Sequence, residues 1–110
     1  MSSNRAQYTE QQMQNGATAT GNGTALDTNG FHVTMLQVTG ITTATITVEA
    51  TVDGTNWVAW PATNNAGTAA TTITADGLYR VDHYATHQLR ARISAHTSGA
   101  IDVIGRATTL

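Results

Sequence analysis

The sequence predicts an all-β protein: an antiparallel β-sandwich of about eight strands, jelly-roll-like arrangements included, with an extended N-terminal arm. Three observations carry that expectation. Residues 41–52, ITTATITVEATV, alternate without a break: Thr42, Ala44, Ile46, Val48, Ala50 and Val52 fall on one face, and Thr43, Thr45, Thr47, Glu49 and Thr51 on the other. Successive strand side chains point to opposite sides, so a period of two in β-branched residues marks a strand with one buried and one wet face. Asp53-Gly54 follows at once. Such a pair between strand-like runs signals a hairpin, since Gly adopts the positive φ of a tight turn freely and Asp tolerates it. Beyond residue 20, short apolar runs recur between Gly-, Asn- and Asp-containing breaks, without helical spacing.

Taken in order, residues 1–20 lack both clean periodicity and enough large apolar groups to pack alone, and they are assigned to the arm. A helix over residues 5–15, around Ala6, Tyr8 and Met13, would be too short to stand in water. The arm therefore requires a partner surface, with Arg5, Tyr8 and Met13 as its contact residues. Residues 21–110 form the sandwich domain. Its strands are expected at 23–27, 31–39, 42–52, 56–60, 70–75, 78–83, 87–94 and 100–108. The breaks are Asn29-Gly30, Gly40, Asp53-Gly54, the 61–67 loop, Asp76-Gly77, the 84–86 loop and Ser98-Gly99. Tyr79 and Val81, then Leu89, Ala91 and Ile93, then Ile101 and Val103 are assigned to the core. Strand 31–39 carries Phe31, Val33 and Met35 on one side and Leu36 and Val38 on the other, which predicts a bulge near Met35 or burial of both faces.

Composition narrows the function classes. A chain of 110 residues closes one modest core without staples. With no cysteine there is neither a disulfide framework nor a thiol nucleophile. The five basic residues are all arginine and the net charge is −2. Duplex nucleic-acid binding needs several phosphate contacts and a basic surplus, so nucleic acid is not expected as a partner. No apolar run approaches the ~20 residues of a membrane-spanning helix, and the N-terminus lacks the apolar core of a signal peptide; no membrane partner is expected.

Catalytic constellations are thin. His83 and His87 have a spacing that aligns metal ligands on a helix, but they flank a strand connection, and two histidines fall short of a site; no metal or cofactor is expected. The serines, Ser2, Ser3, Ser94 and Ser98, sit in no nucleophile elbow, and the only glutamates are Glu10 and Glu49. The protein is therefore not expected to be an enzyme. Trp57 reads as core packing beside the hairpin, and Trp60 as either an exposed contact or a loop anchor. Arg80, Arg90, Arg92 and Arg106 crowd the last third, interleaved with Asp82 and Asp102. They read as cross-strand ion pairs or as an interface stripe, arginine being enriched at protein contacts.

The segments ATATGNGTALD, VTMLQVTG, TATITVEATVDGTNWVAW, ADGLYRVD, LRARIS and TSGAIDVIGRA resemble a family of small, lysine-poor β-sandwich proteins of tailed bacteriophages, taken to be virion structural components. The resemblance spans residues 17–108; DGTNW and GLYRVD are its most specific elements. It implies a capsid decoration or cement protein, or another head or tail accessory subunit, located in the virion and assembled in the host cytoplasm. The implied partners are major capsid or tail subunits and further copies of the chain, and no catalytic residue is carried over. The interface candidates are Arg5, Tyr8, Met13, Arg80, Arg90, Arg92 and Trp60. The alternative is a carbohydrate-binding module at a tail tip, with Trp60, Asn64, Asn65 and Tyr84 as glycan contacts.

Overall fold

The structure, a computed structural model, describes residues 7–109. Nine strands make one antiparallel sheet: β1 (Tyr8–Ala17), β2 (Leu26–Asp27), β3 (Val33–Thr51), β4 (Val58–Ala59), β5 (Ala62–Thr63), β6 (Ala69–Ala70), β7 (Thr72–Ile73), β8 (Gly77–Asp82) and β9 (Gln88–Thr108). No helix occurs among the described residues. Along the main path the order is β1-β9-β3-β8-β5-β6, with β2 on β9 and with β4 and β7 on β3.

The sheet folds over on itself through its two longest strands, its path remaining open at β1 and β6. β3 pairs with β9 from Val33↔Thr108 to Thr51↔Gln88, so four of the expected strands are two, 31–39 joined to 42–52 and 87–94 joined to 100–108. Gly40 and Gly99, read as chain reversals, are kinks within a continuing ribbon. Their φ values are +87° and +114°, and a Cβ on Gly40 would lie 1.9 Å from the Ala100 carbonyl oxygen. Only glycine allows the two backbones to approach this closely. On one side of the kink lies a leaf of β1, β8, β5, β6, residues 33–39 and residues 101–108. The second leaf holds residues 44–51 and 88–95 with β2, β4 and β7.

The leaves face each other across the core, which gives the expected antiparallel sandwich. Leu36, Val38, Val81, Ile101 and Val103 from the first leaf meet Leu26, Ile46, Val48, Leu89, Ala91 and Ile93 from the second, all essentially without exposure. Gly105 leaves the room that Met13 from β1 and Leu26 from β2 fill, since a Cβ there would fall 2.6 Å from Met13 Sδ and 3.3 Å from Leu26 Cδ2. Away from the kink, Trp60 spans the gap: its backbone N–H donates to Val48 O at 2.9 Å and its Nε1–H to Asp82 O at 2.8 Å.

Several expectations are corrected by this arrangement. From Tyr8 onward the stretch expected to be an extended arm seeking a partner surface is a strand of the chain's own sheet, antiparallel to β9 from Tyr8↔Thr108 to Ala17↔Ile101. A bulge between Gln12 and Gln14 turns both Met13 and Gln14 inward, where Gln14 Nε2 donates to Ala91 O at 2.8 Å. The pairing of residues 33–39 shows no register shift at Met35; Thr34, Leu36 and Val38 face the core and Met35 faces out. The shifts fall instead between Thr39 and Ile46, around the kink. Strand 23–27 shrinks to β2, strand 56–60 to β4, and 70–75 splits at the ladder with Thr71 accepting from Val48 N. The Asp53-Gly54 hairpin exists, but its last pair is Ala50↔Val58 and its loop runs over 51–57, leaving Val52 74% exposed and outside the core.

Candidate functional site

Since the inner faces are filled by the core, side chains able to meet a partner lie on the two outer faces and on the loops beside Trp60. On the first leaf, register sets residues in rows across four strands. Glu10 lies opposite Arg106, Arg106 opposite Met35, and Met35 opposite Arg80. The next row runs Gln12, Ile104, Gln37 and Leu78. Met35, Leu78 and Tyr8 are exposed, and Met35 and Leu78 line two shallow clefts, of about 440 Å³ with Asn64 and Asn65 and about 290 Å³ with Ile104. Arg106 lies among these apolar side chains and stacks on Tyr8, its Cζ 3.7 Å from the ring centroid. Arg80 is exposed and loosely paired with Asp82 at 3.4 Å, a contact too solvated to contribute much.

Cross-strand register also builds the second leaf's outer face. Glu49 lies opposite Arg90, and Thr47 opposite Arg92. Arg90 Nε and Arg92 Nε both donate to Glu49 Oε1, at 2.8 Å and 3.2 Å. Trp57 covers Arg90, whose Cζ sits 4.2 Å from its ring centroid. Burial opposes ionisation of Glu49, yet the hydrogen bonds and charges of Arg90 and Arg92 outweigh it and hold the carboxyl below its ordinary range. Two expectations change here: Glu49 is buried despite its place on the wet face, and Trp57 half-buries itself on that outer face.

The loop end carries the third surface, a cleft of about 410 Å³ lined by Val52, Asp53, Val58, Trp60 and Thr86. Asp53 is a loop staple. Its carboxylate accepts from the backbone N–H groups of Asn56 and Thr55 and from Asn56 Nδ2, and these bonds hold it far below the usual carboxylate range.

The named candidates separate accordingly. Arg5 lies outside the described residues. Tyr8 and Arg80 reach the first leaf's outer face, and Arg90 and Arg92 the second's. Met13 is 1% exposed and belongs to the core of its own chain. Trp60 is a loop anchor, half-buried and hydrogen-bonded. The glycan candidates do not converge: Trp60 lines the loop-end cleft, whereas Asn64 and Asn65 line the first leaf's cleft. Asn64 Oδ1 is already occupied by the N–H groups of Ala66 and Thr68. Tyr84 stands exposed at φ +52°. His83 and His87 are separately engaged, His83 Nε2 with Thr34 Oγ1 at 2.8 Å and His87 Nδ1 with Asn29 Nδ2 at 2.7 Å. Met35, Leu78 and Ile104 were not singled out as surface residues; exposed apolar residues on an alternating strand were the available signal.

Fold and surface define a small β-sandwich module whose exposed chemistry lies on sheet faces and loop ends. No family model and no curated protein matches the chain. Among solved structures, the chain is similar to the SPBc2 prophage-derived protein YomS, with a TM-score of 0.87 and 15% identity over 99% of both chains. It is also similar to the PBSX exported protein XepA, with a TM-score of 0.92 and 14% identity over 99% of this chain and 40% of that one. At these identities the likeness establishes the fold, and this chain spans about two-fifths of the length of XepA.

Proposed function

We propose that this is a phage structural protein, a capsid decoration or cement protein or another head or tail accessory subunit, that acts through protein contacts and performs no catalysis. The observation that carries the reading is the first leaf's outer face: Met35, Leu78 and Ile104 share one cleft with Arg106, Tyr8 lies beyond Arg106, and Arg80 lies beside Met35 on the same strand-paired surface. Exposed apolar side chains interleaved with arginine match the composition of a protein interface. The prophage origin of one structural neighbour, YomS, supports the phage context. Other virion proteins are the intended partners, and further copies of the chain meet through the same kind of face.

The test is quantitative mass spectrometry of particles purified from a lysate in which the chain is expressed, with the Met35→Asp and Leu78→Asp double variant alongside. The expected result is a fixed number of copies per particle for the parent chain and loss of incorporation for the variant, with circular dichroism unchanged. Absence of the parent chain from particles, while abundant in the lysate, would refute the proposal.

A further inference from the structure

The Arg90–Glu49–Arg92 cluster has a chemistry that an ordinary ion pair does not complete. A guanidinium presents five N–H donors in a rigid fork. Each arginine commits its Nε to the same Glu49 oxygen, and their Nη groups have no acceptor among the described residues. Two positive charges meet one negative, so one positive charge remains. The two arginines are not equivalent. Arg90, sandwiched between Trp57 and Glu49, has a side chain 18% exposed, whereas that of Arg92 is 36% exposed and brings its fork to the surface.

The surroundings leave that fork open. Thr47 lies opposite Arg92, Thr72 lies beyond Thr47, and Ser94 accepts from Thr47 Oγ1 on the same face. These short side chains cannot reach over a guanidinium, so an approaching group meets Arg92 unscreened. A residual charge of one suits a single carboxylate better than a nucleic-acid backbone, which needs several cations in a row. The planar fork matches a carboxylate through two parallel hydrogen bonds.

We propose that Arg92, held by Glu49 and assisted by Arg90, is a docking socket for a carboxylate side chain on an acidic segment of a protein partner. The inference rests on the reading of the protein as one that works by protein contacts. Arg92 makes the contact. Glu49 and Arg90 are positioning residues: the carboxylate fixes both forks and the Trp57 stack holds Arg90 in place.

The test is NMR of the arginine Nε–H signals in the full chain, titrated separately with a hexaglutamate peptide, an uncharged hexaglutamine peptide and inorganic phosphate. Hexaglutamate is expected to shift Arg92 and Arg90 saturably, with Arg80 and Arg106 unmoved. Arg92→Lys keeps the charge but loses the fork and is expected to weaken binding about tenfold. Glu49→Gln raises the positive charge yet is expected to weaken binding as well, because the forks lose their orientation; simple attraction would strengthen it. The socket is overturned by no saturable shift, by equal shifts at Arg80 and Arg106, by binding of hexaglutamine, or by phosphate binding as tightly as hexaglutamate. Particle incorporation separates the two proposals. Hexaglutamate binding by a chain absent from particles refutes the virion role alone, and wild-type incorporation of an Arg92→Gln variant refutes the socket alone.

Discussion

Replacing Gly40 by alanine tests the physical basis of the sandwich, the folding of one ribbon onto itself. Gly40 has φ +87°, which costs an L-residue roughly 1–2 kcal/mol. The added methyl would also sit 1.9 Å from the Ala100 carbonyl oxygen, which belongs to the backbone of the paired strand and cannot rotate away. Relief requires β3 and β9 to separate between Thr39↔Asp102 and Ile41↔Gly99. Losing about two ladder hydrogen bonds at ~1 kcal/mol each brings the total to about 3–4 kcal/mol. That is a large share of the roughly 5–15 kcal/mol that stabilises a domain. Gly30 is the control, since it has nearly the same φ, +82°, and nothing within 4 Å of an added Cβ. Gly30→Ala pays only the backbone cost, roughly 1–2 kcal/mol. Urea unfolding followed by tryptophan fluorescence, with thermal melts by circular dichroism, measures both. The expected fall in Tm is roughly 10–20 °C for Gly40→Ala and about half of that or less for Gly30→Ala. Equal losses would show that close strand approach at the kink contributes nothing, and the account of the fold-over would be wrong.

Four further outcomes follow from the packing and the charges. Met13→Ala removes a fully buried side chain that closes the core against Gly105 and Leu26; a loss of about 2–5 kcal/mol in urea unfolding is expected. Glu49→Gln breaks a partly solvated triad and is expected to cost about 1–2 kcal/mol at neutral pH. Since the folded-state value of Glu49 lies below its ordinary 4.5, its contribution is complete above that pH and lost as pH falls through the lowered value, so parent and variant unfolding curves converge in acid. Burial pulls His83 below its ordinary 6.5, and the opposing pull of Asp82 does not restore it; stability declines as pH falls from 6.5 toward the lowered value, and His83→Gln flattens that decline in urea midpoints measured across the window. Tyr84→Gly relieves a positive φ at an exposed tyrosine, and a Tm unchanged or raised is expected despite the lost ring, with a gain of up to ~1 kcal/mol.

What was legible in the sequence is what short-range chemistry dictates. Alternation over residues 42–52 located Ile46, Val48 and Ala50 in the core, and the same pattern did so for Leu89, Ala91, Ile93, Ile101 and Val103. It failed at Val52, where the strand ends and the Asp53 staple begins. Glycine signals located the irregular backbone at Gly40 and Gly99 but could not separate a reversal from a kink, because both need positive φ. Strand β1 escaped recognition because its inward residues, Met13 and Gln14, are adjacent at a bulge and one of them is polar. The Glu49 cluster depended on a register between segments some 40 residues apart, which alternation within either segment does not encode. For Trp60 the local pattern offered two options, and its long-range partner Asp82 decided between them; Trp57, expected in the core, sits instead on Arg90, a partner from β9 that local pattern could not supply.

The pairing of β3 with β9 also sets when this chain can fold. Thr34 finds its ladder partner at Ala107 and Tyr8 finds its own at Thr108. Neither central nor edge strand can be completed during synthesis until residues 88–108 have left the ribosome. Loops this long must close before their contacts repay the lost chain entropy, which places the protein among slow, millisecond-to-second folders. Until then the alternating β3 segment has an apolar face, and the edge that β9 will take stays open to other nascent chains even where β4, β7 and β8 cover the other, so crowding on polysomes is the stage at which misassembly competes most directly with the native ribbon.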